Sequence, residues 1–75
     1  MTSAQVRAAR GLLNWTVRTL AERASVHRNT VTNIETGRYA GSADAIASIK
    51  STLESEGVEF IPANGGGVGV RLNAK

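Results

Sequence analysis

Between Thr16 and Gly37 two helical patterns are separated only by Ala24-Ser25-Val26, which leaves room for a bend and nothing longer. Leu20, Ala21 and Ala24 fall on one face of the first pattern, and Val26, Val31 and Ile34 give the second its apolar face. Helices joined so tightly must pack on each other, and the single methyl of Ala21 lets them approach closely. The other face of the second helix is left to solvent. That is the geometry of two helices of which the second can be inserted into a DNA major groove.

The rest of the chain is too short for a second core. At 75 residues it forms one domain; a chain of this size buries only about 60% of its unfolded surface, so it gains from dimerisation. It has no cysteine, which excludes disulfides and cysteine-based zinc sites and fits a reducing compartment. No apolar run approaches the ~20 residues of a membrane span, and no signal peptide is evident. A cytoplasmic location and no membrane partner are therefore expected. Charge is unevenly divided. Residues 1–41 carry six arginines against Glu22 and Glu35, a net of +4, whereas residues 42–75 carry three cations against four acids, a net of −1. The basic half holds the paired helices and suits a polyanion.

Periodicity places a first helix over 3–13, capped by Ser3, with Val6, Ala9, Leu12 and Leu13 near one face. Asn14 ends it, Trp15 anchors the corner and Thr16 caps the next helix, which runs to Ala24. The third extends from His27 to Thr36, with Gly37 as its C-cap. Ser42 caps a fourth over 43–56, with Ile46, Ile49 and Leu53 inward, and Gly57 stops it. The period then changes to two in 58–62 and 68–72, on either side of Asn64-Gly65-Gly66-Gly67, a β-hairpin signal. The expected fold is mainly α with a C-terminal β-hairpin. Residues 1–57 form the helical part, and 58–75 a hairpin that belongs to the same domain. Two strands are not stable alone in water, so the hairpin must lie on the helices, pair with another chain, or both. Val58, Phe60, Ile61, Val68, Val70 and Leu72 are the expected dimer interface. Gly69 inside a strand points to a bulge or to a close backbone approach across a dimer. The glycine run lacks the Lys-Ser/Thr and following helix of a phosphate-binding loop and reads as a turn.

The segment resembles the helix-turn-helix of the phage repressor, Cro and XRE-type regulators in Leu20, Ala21, Ala24, Val26, Val31 and the closing Ile34-Glu35-x-Gly37. With its flanking helices the likeness covers the first three-quarters of the chain and implies a four-helix, repressor-like domain. Two positions depart from the family. Ser25 stands where the turn usually has Gly. Val17 stands where Gln often donates to a phosphate, so one backbone clamp is missing. The resemblance also implies that Arg10 and Glu35 form a partly buried structural ion pair joining the first helix to the end of the third, rather than Arg10 contacting DNA.

On that frame the start of the third helix faces the groove, with Arg28, Asn29, Thr32 and Asn33 as the base readers. Arg forks onto guanine N7 and O6, Asn pairs with adenine N6 and N7, and Thr offers a hydroxyl and a methyl. Thr16, Arg18, His27, Thr30, Arg38 and Tyr39 are candidates for the sugar–phosphate backbone. For His27 a structural cap, and for Tyr39 plain packing, is an equal alternative; Arg7 is a weaker backbone candidate. Trp15 belongs to the core.

The expected function is a sequence-specific, DNA-binding transcriptional regulator. Its simplest form is a repressor that binds a palindromic operator of double-stranded DNA as a homodimer. The alternative is an antitoxin-like module whose C-terminal strands bind a partner protein by strand addition. Nothing marks an enzyme, a cofactor, a metal site or a small-molecule ligand.

Overall fold

Four helices, α1 (Ser3–Leu13), α2 (Val17–Ala24), α3 (Arg28–Thr36) and α4 (Ala43–Ser55), are followed by antiparallel strands β1 (Val58–Ile61) and β2 (Gly69–Leu72). The computed structural model describes residues 1–38 and 42–73. Every helix starts at a side chain that accepts an otherwise unpaired amide: Thr2, Thr16, His27 and Ser42. The cap of α1 is thus Thr2, not Ser3. Three residues after Thr2 comes Gln5, whose Oε1 accepts the Thr2 N–H at 2.8 Å while Thr2 Oγ1 accepts the Gln5 N–H at 3.1 Å. Three residues after Ser3 comes Val6, which cannot close such a box.

The first three helices end alike. Asn14, Ser25 and Gly37 are left-handed, at φ 58, 57 and 74°. The next amide in each case reaches back into the helix: Trp15 to the Arg10 carbonyl at 3.0 Å, Val26 to Ala21 at 3.0 Å, Arg38 to Asn33 at 3.1 Å. The bend between α2 and α3 is therefore built by serine in a conformation that costs a residue with a Cβ about 1 kcal/mol.

The core collects Val6 and Ala9 of α1, Leu20, Ala21 and Ala24 of α2, Val31 and Ile34 of α3, Ile49 and Leu53 of α4, and Val58 of β1. Leu13, Trp15, Val17, Val26 and Ile46 pack at its margin. Leu12, expected inward, is 44% exposed. Val6, Ala9 and Leu13 fill the arc of α1 that faces the core, and Leu12 falls outside it on the flank of Gln5.

The hairpin closes this core. β2 lies against α1 and β1 against α4, in a register that pairs Val58 with Leu72 and Ile61 with Gly69 without a bulge. The side chain of Ile61 makes only ordinary contact with the place a Cβ on Gly69 would occupy, 4.0 Å away. The expected bulge at Gly69 is thus absent from the pairing. Gln5, 5% exposed, donates from Nε2 to the carbonyls of Ile61 (3.2 Å) and Gly69 (2.8 Å). Its amide therefore starts α1 with one end and holds both strands with the other.

The apolar residues of the hairpin divide by face. Val58 is buried within the single chain, and Phe60 and Val70 pack on the same core. These three cover α1 and α4, whose own apolar residues would otherwise face water. Val58 is for that reason not available to a partner chain. Ile61 is half-buried, and only Val68 and Leu72 of the six remain exposed, at 45% and 42%. The opposite face carries Ile61 beside Glu59 and Arg71. Arg71 contacts Glu59 at 2.7 Å and Asn73 donates to it at 3.1 Å; Arg71 foremost, then Asn73, holds the Glu59 carboxyl below its ordinary pKa.

Candidate nucleic-acid interface

α3 turns one side inward. Val31, Ile34 and Glu35 are buried, and the helix packs on α2 and α1. On the opposite arc Arg28, Asn29, Thr32 and Thr36 are exposed and Asn33 is half-buried. These five follow one another at helical spacing, so the four expected base readers share a continuous polar stripe. Nine residues at a rise of 1.5 Å make α3 about 13 Å long, short enough for a major groove to accept end to end. Thr36 extends the stripe, with its hydroxyl donating to the Thr32 carbonyl at 2.9 Å. It is not among the expected readers, although its place four residues after Thr32 marks it.

Two cations of α1 fix the far end of this helix. Arg10 grips the Glu35 carboxylate with two nitrogens, Nε at 2.9 Å and Nη2 at 3.1 Å, and donates from Nη1 to the Trp15 carbonyl at 3.0 Å. The Glu35 side chain is 6% exposed. Its hydrogen bond raises the Arg10 pKa against the opposing effect of burial, so the guanidinium stays charged. Arg7, considered for the DNA backbone, instead donates to the main-chain carbonyl of Glu35. No spacing of side chains marks that contact, because its acceptor is backbone. Trp15 packs at the core margin with the Arg23 guanidinium 5.2 Å above its ring.

The near end of α3 is capped by His27, whose Nδ1 accepts the Asn29 N–H at 3.0 Å. His27 and Arg28 meet Arg18, Ala21, Glu22 and Val26 around a shallow cavity of about 400 Å³. Arg18 contacts Glu22 at 3.0 Å across one turn, with both side chains largely exposed. Such a pair contributes about 0.3–0.5 kcal/mol, so Arg18 can exchange it for a phosphate. Thr16 caps α2, its hydroxyl accepting the Thr19 amide at 3.1 Å. Thr30 is half-buried, and Arg38 is exposed just beyond α3. Neither lines the cavity, nor does Thr16. Tyr39 lies outside the described residues. The arrangement thus offers one polar stripe with a cationic concavity beside its first turn, all on one rigid helix pair. Among the described residues no helix is long and apolar enough to cross a membrane.

A family model described as a helix-turn-helix domain matches residues 3–59, from the first residue of α1 into β1. No curated protein matches the chain.

Proposed function

Because the chain belongs to the helix-turn-helix domain family, a family of DNA-binding domains, we propose that it is a sequence-specific transcriptional regulator that reads DNA with α3. The observation that carries this reading is the polar stripe of α3, held opposite a buried face and anchored at both ends. Arg28 and Asn29 read bases from the first turn, with Thr32 and Asn33 behind them. Arg18, Arg38 and His27 hold phosphates. In its simplest form the protein is a repressor that occludes a promoter.

The operator is then a rough palindrome read by two copies, whose recognition helices must sit about 34 Å apart to enter successive major grooves. The hairpin supplies the contact between copies. Its inner face lies on the core and its outer face holds Ile61 beside the Glu59–Arg71 pair, so what it offers a second copy is chiefly its strand edges, with the exposed Val68 and Leu72 near them. A different protein adding a strand there would make the chain an antitoxin-like module, and copurification of a second polypeptide is the result that favours it.

Fluorescence anisotropy with a duplex from upstream of the gene, and with a random duplex of equal length, tests the reading. Affinity should fall with salt at a log–log slope of about −0.9 per phosphate neutralised. Arg28→Ala or Asn29→Ala should cost about 1–3 kcal/mol on the specific duplex and little on the random one. Arg38→Ala should weaken both equally and reduce the slope by about one. No binding to either duplex at low salt refutes it.

A further inference from the structure

His27 is the only one of the four helix caps whose side chain has a second polar atom on a rigid ring. Its Nδ1 lies 3.0 Å from the Asn29 backbone nitrogen. A backbone N–H can only donate, so Nδ1 must present a lone pair and the ring proton must sit on Nε2. The exposed ring shares its cavity with Arg18 and Glu22 of α2 and with Arg28 of its own helix.

We propose that His27 is a positioning residue that acts on DNA as a neutral imidazole, with Nδ1 capping α3 while Nε2–H donates to a phosphate oxygen. One planar ring then sets both where the recognition helix starts and how that start meets the DNA backbone. The inference rests on the DNA-binding reading and deepens it by fixing the charge state of one contact. A charged ring does not fit the same place. A proton on Nδ1 would set donor against donor at 3.0 Å. The contact is therefore a hydrogen bond that displaces no counterion, unlike those of the arginines.

Two substitutions separate the two nitrogens. In His27→Asn the carboxamide oxygen takes the place of Nδ1 and caps as well, but nothing reaches as far as Nε2. In His27→Gln the amide nitrogen reaches that far, but the cap is lost. The probes are the upstream and random duplexes described above. His27→Asn should keep the wild-type melting temperature and weaken binding to both duplexes about tenfold, with the salt slope unchanged. His27→Gln should melt lower and recover part of the affinity. His27→Ser, a second capping variant, should behave as His27→Asn. In the wild-type complex, ¹⁵N NMR should find Nδ1 unprotonated and Nε2 protonated. Wild-type affinity in His27→Asn would reduce His27 to a cap and overturn the proposal. A slope reduced by about 0.9, or a protonated Nδ1 in the complex, would overturn the neutral contact. If the wild-type protein itself binds neither duplex, the DNA-binding reading fails and this inference with it; if only the variants contradict it, that reading stands.

Discussion

Ser25 holds a left-handed backbone at φ 57° in the bend that orients α3. A residue with a Cβ pays about 1–2 kcal/mol there, whereas glycine avoids that strain and loses about 0.5–1 kcal/mol to its freedom in the unfolded chain. Ser25→Gly should therefore stabilise the protein by about 0.5–1 kcal/mol, a rise of roughly 2–8 °C in melting temperature for a domain of this size. DNA affinity should not change, since Ser25 is not on the recognition stripe. Thermal unfolding followed by circular dichroism checks this, and an unchanged or lower melting temperature would show that the serine is not strained. Asn14 takes the same conformation at the end of α1, but asparagine tolerates it better, so the gain belongs to Ser25.

At the scale of elements, Gln5 joins parts that local rules treat separately. Gln5→Glu dissects it. A carboxylate still accepts the Thr2 amide and keeps the cap of α1, but it has no hydrogen to give the carbonyls of Ile61 and Gly69. Hydrogen exchange should accelerate across β1 and β2 while α2 and α3 keep their protection, at a cost of about 1–3 kcal/mol. Equal protection in both proteins would show that packing alone holds the hairpin. This residue also marks the limit of what the sequence discloses. Helices, their caps at Thr16 and Ser42, the stop at Gly37 and the hairpin were legible because each depends on neighbours within a few residues. The α3 stripe was legible through its helical spacing. The Arg10–Glu35 contact was foreseen through family likeness alone. The roles of Gln5 and Arg7 were hidden, because both act on main-chain carbonyls far along the chain, which no side-chain pattern records. The face of Val58 was misjudged for a related reason: alternation tells which residues share a side of a strand, not whether that side meets its own helices or another chain.

For the whole molecule, the hairpin's place on the core narrows how two copies can meet. Val68 and Leu72 are the hairpin's exposed apolar residues, at 45% and 42%, and replacing both with lysine should leave the monomer folded. If the proposed dimer forms, sedimentation should then show a monomer where the wild type gives a dimer, and DNA affinity should fall at low protein concentration. A wild-type chain that sediments as a monomer at every concentration would refute the strand-edge dimer. The reach of Gln5 has one more consequence, in the order of synthesis. Its two acceptors lie 56 and 64 residues further along. Translation at about 5–20 residues per second makes the later one ~3–13 s after Gln5 itself. Throughout that interval the nascent helices have no hairpin to cover α1 and α4, so a ribosome-bound chain exposes its apolar interior until β2 emerges.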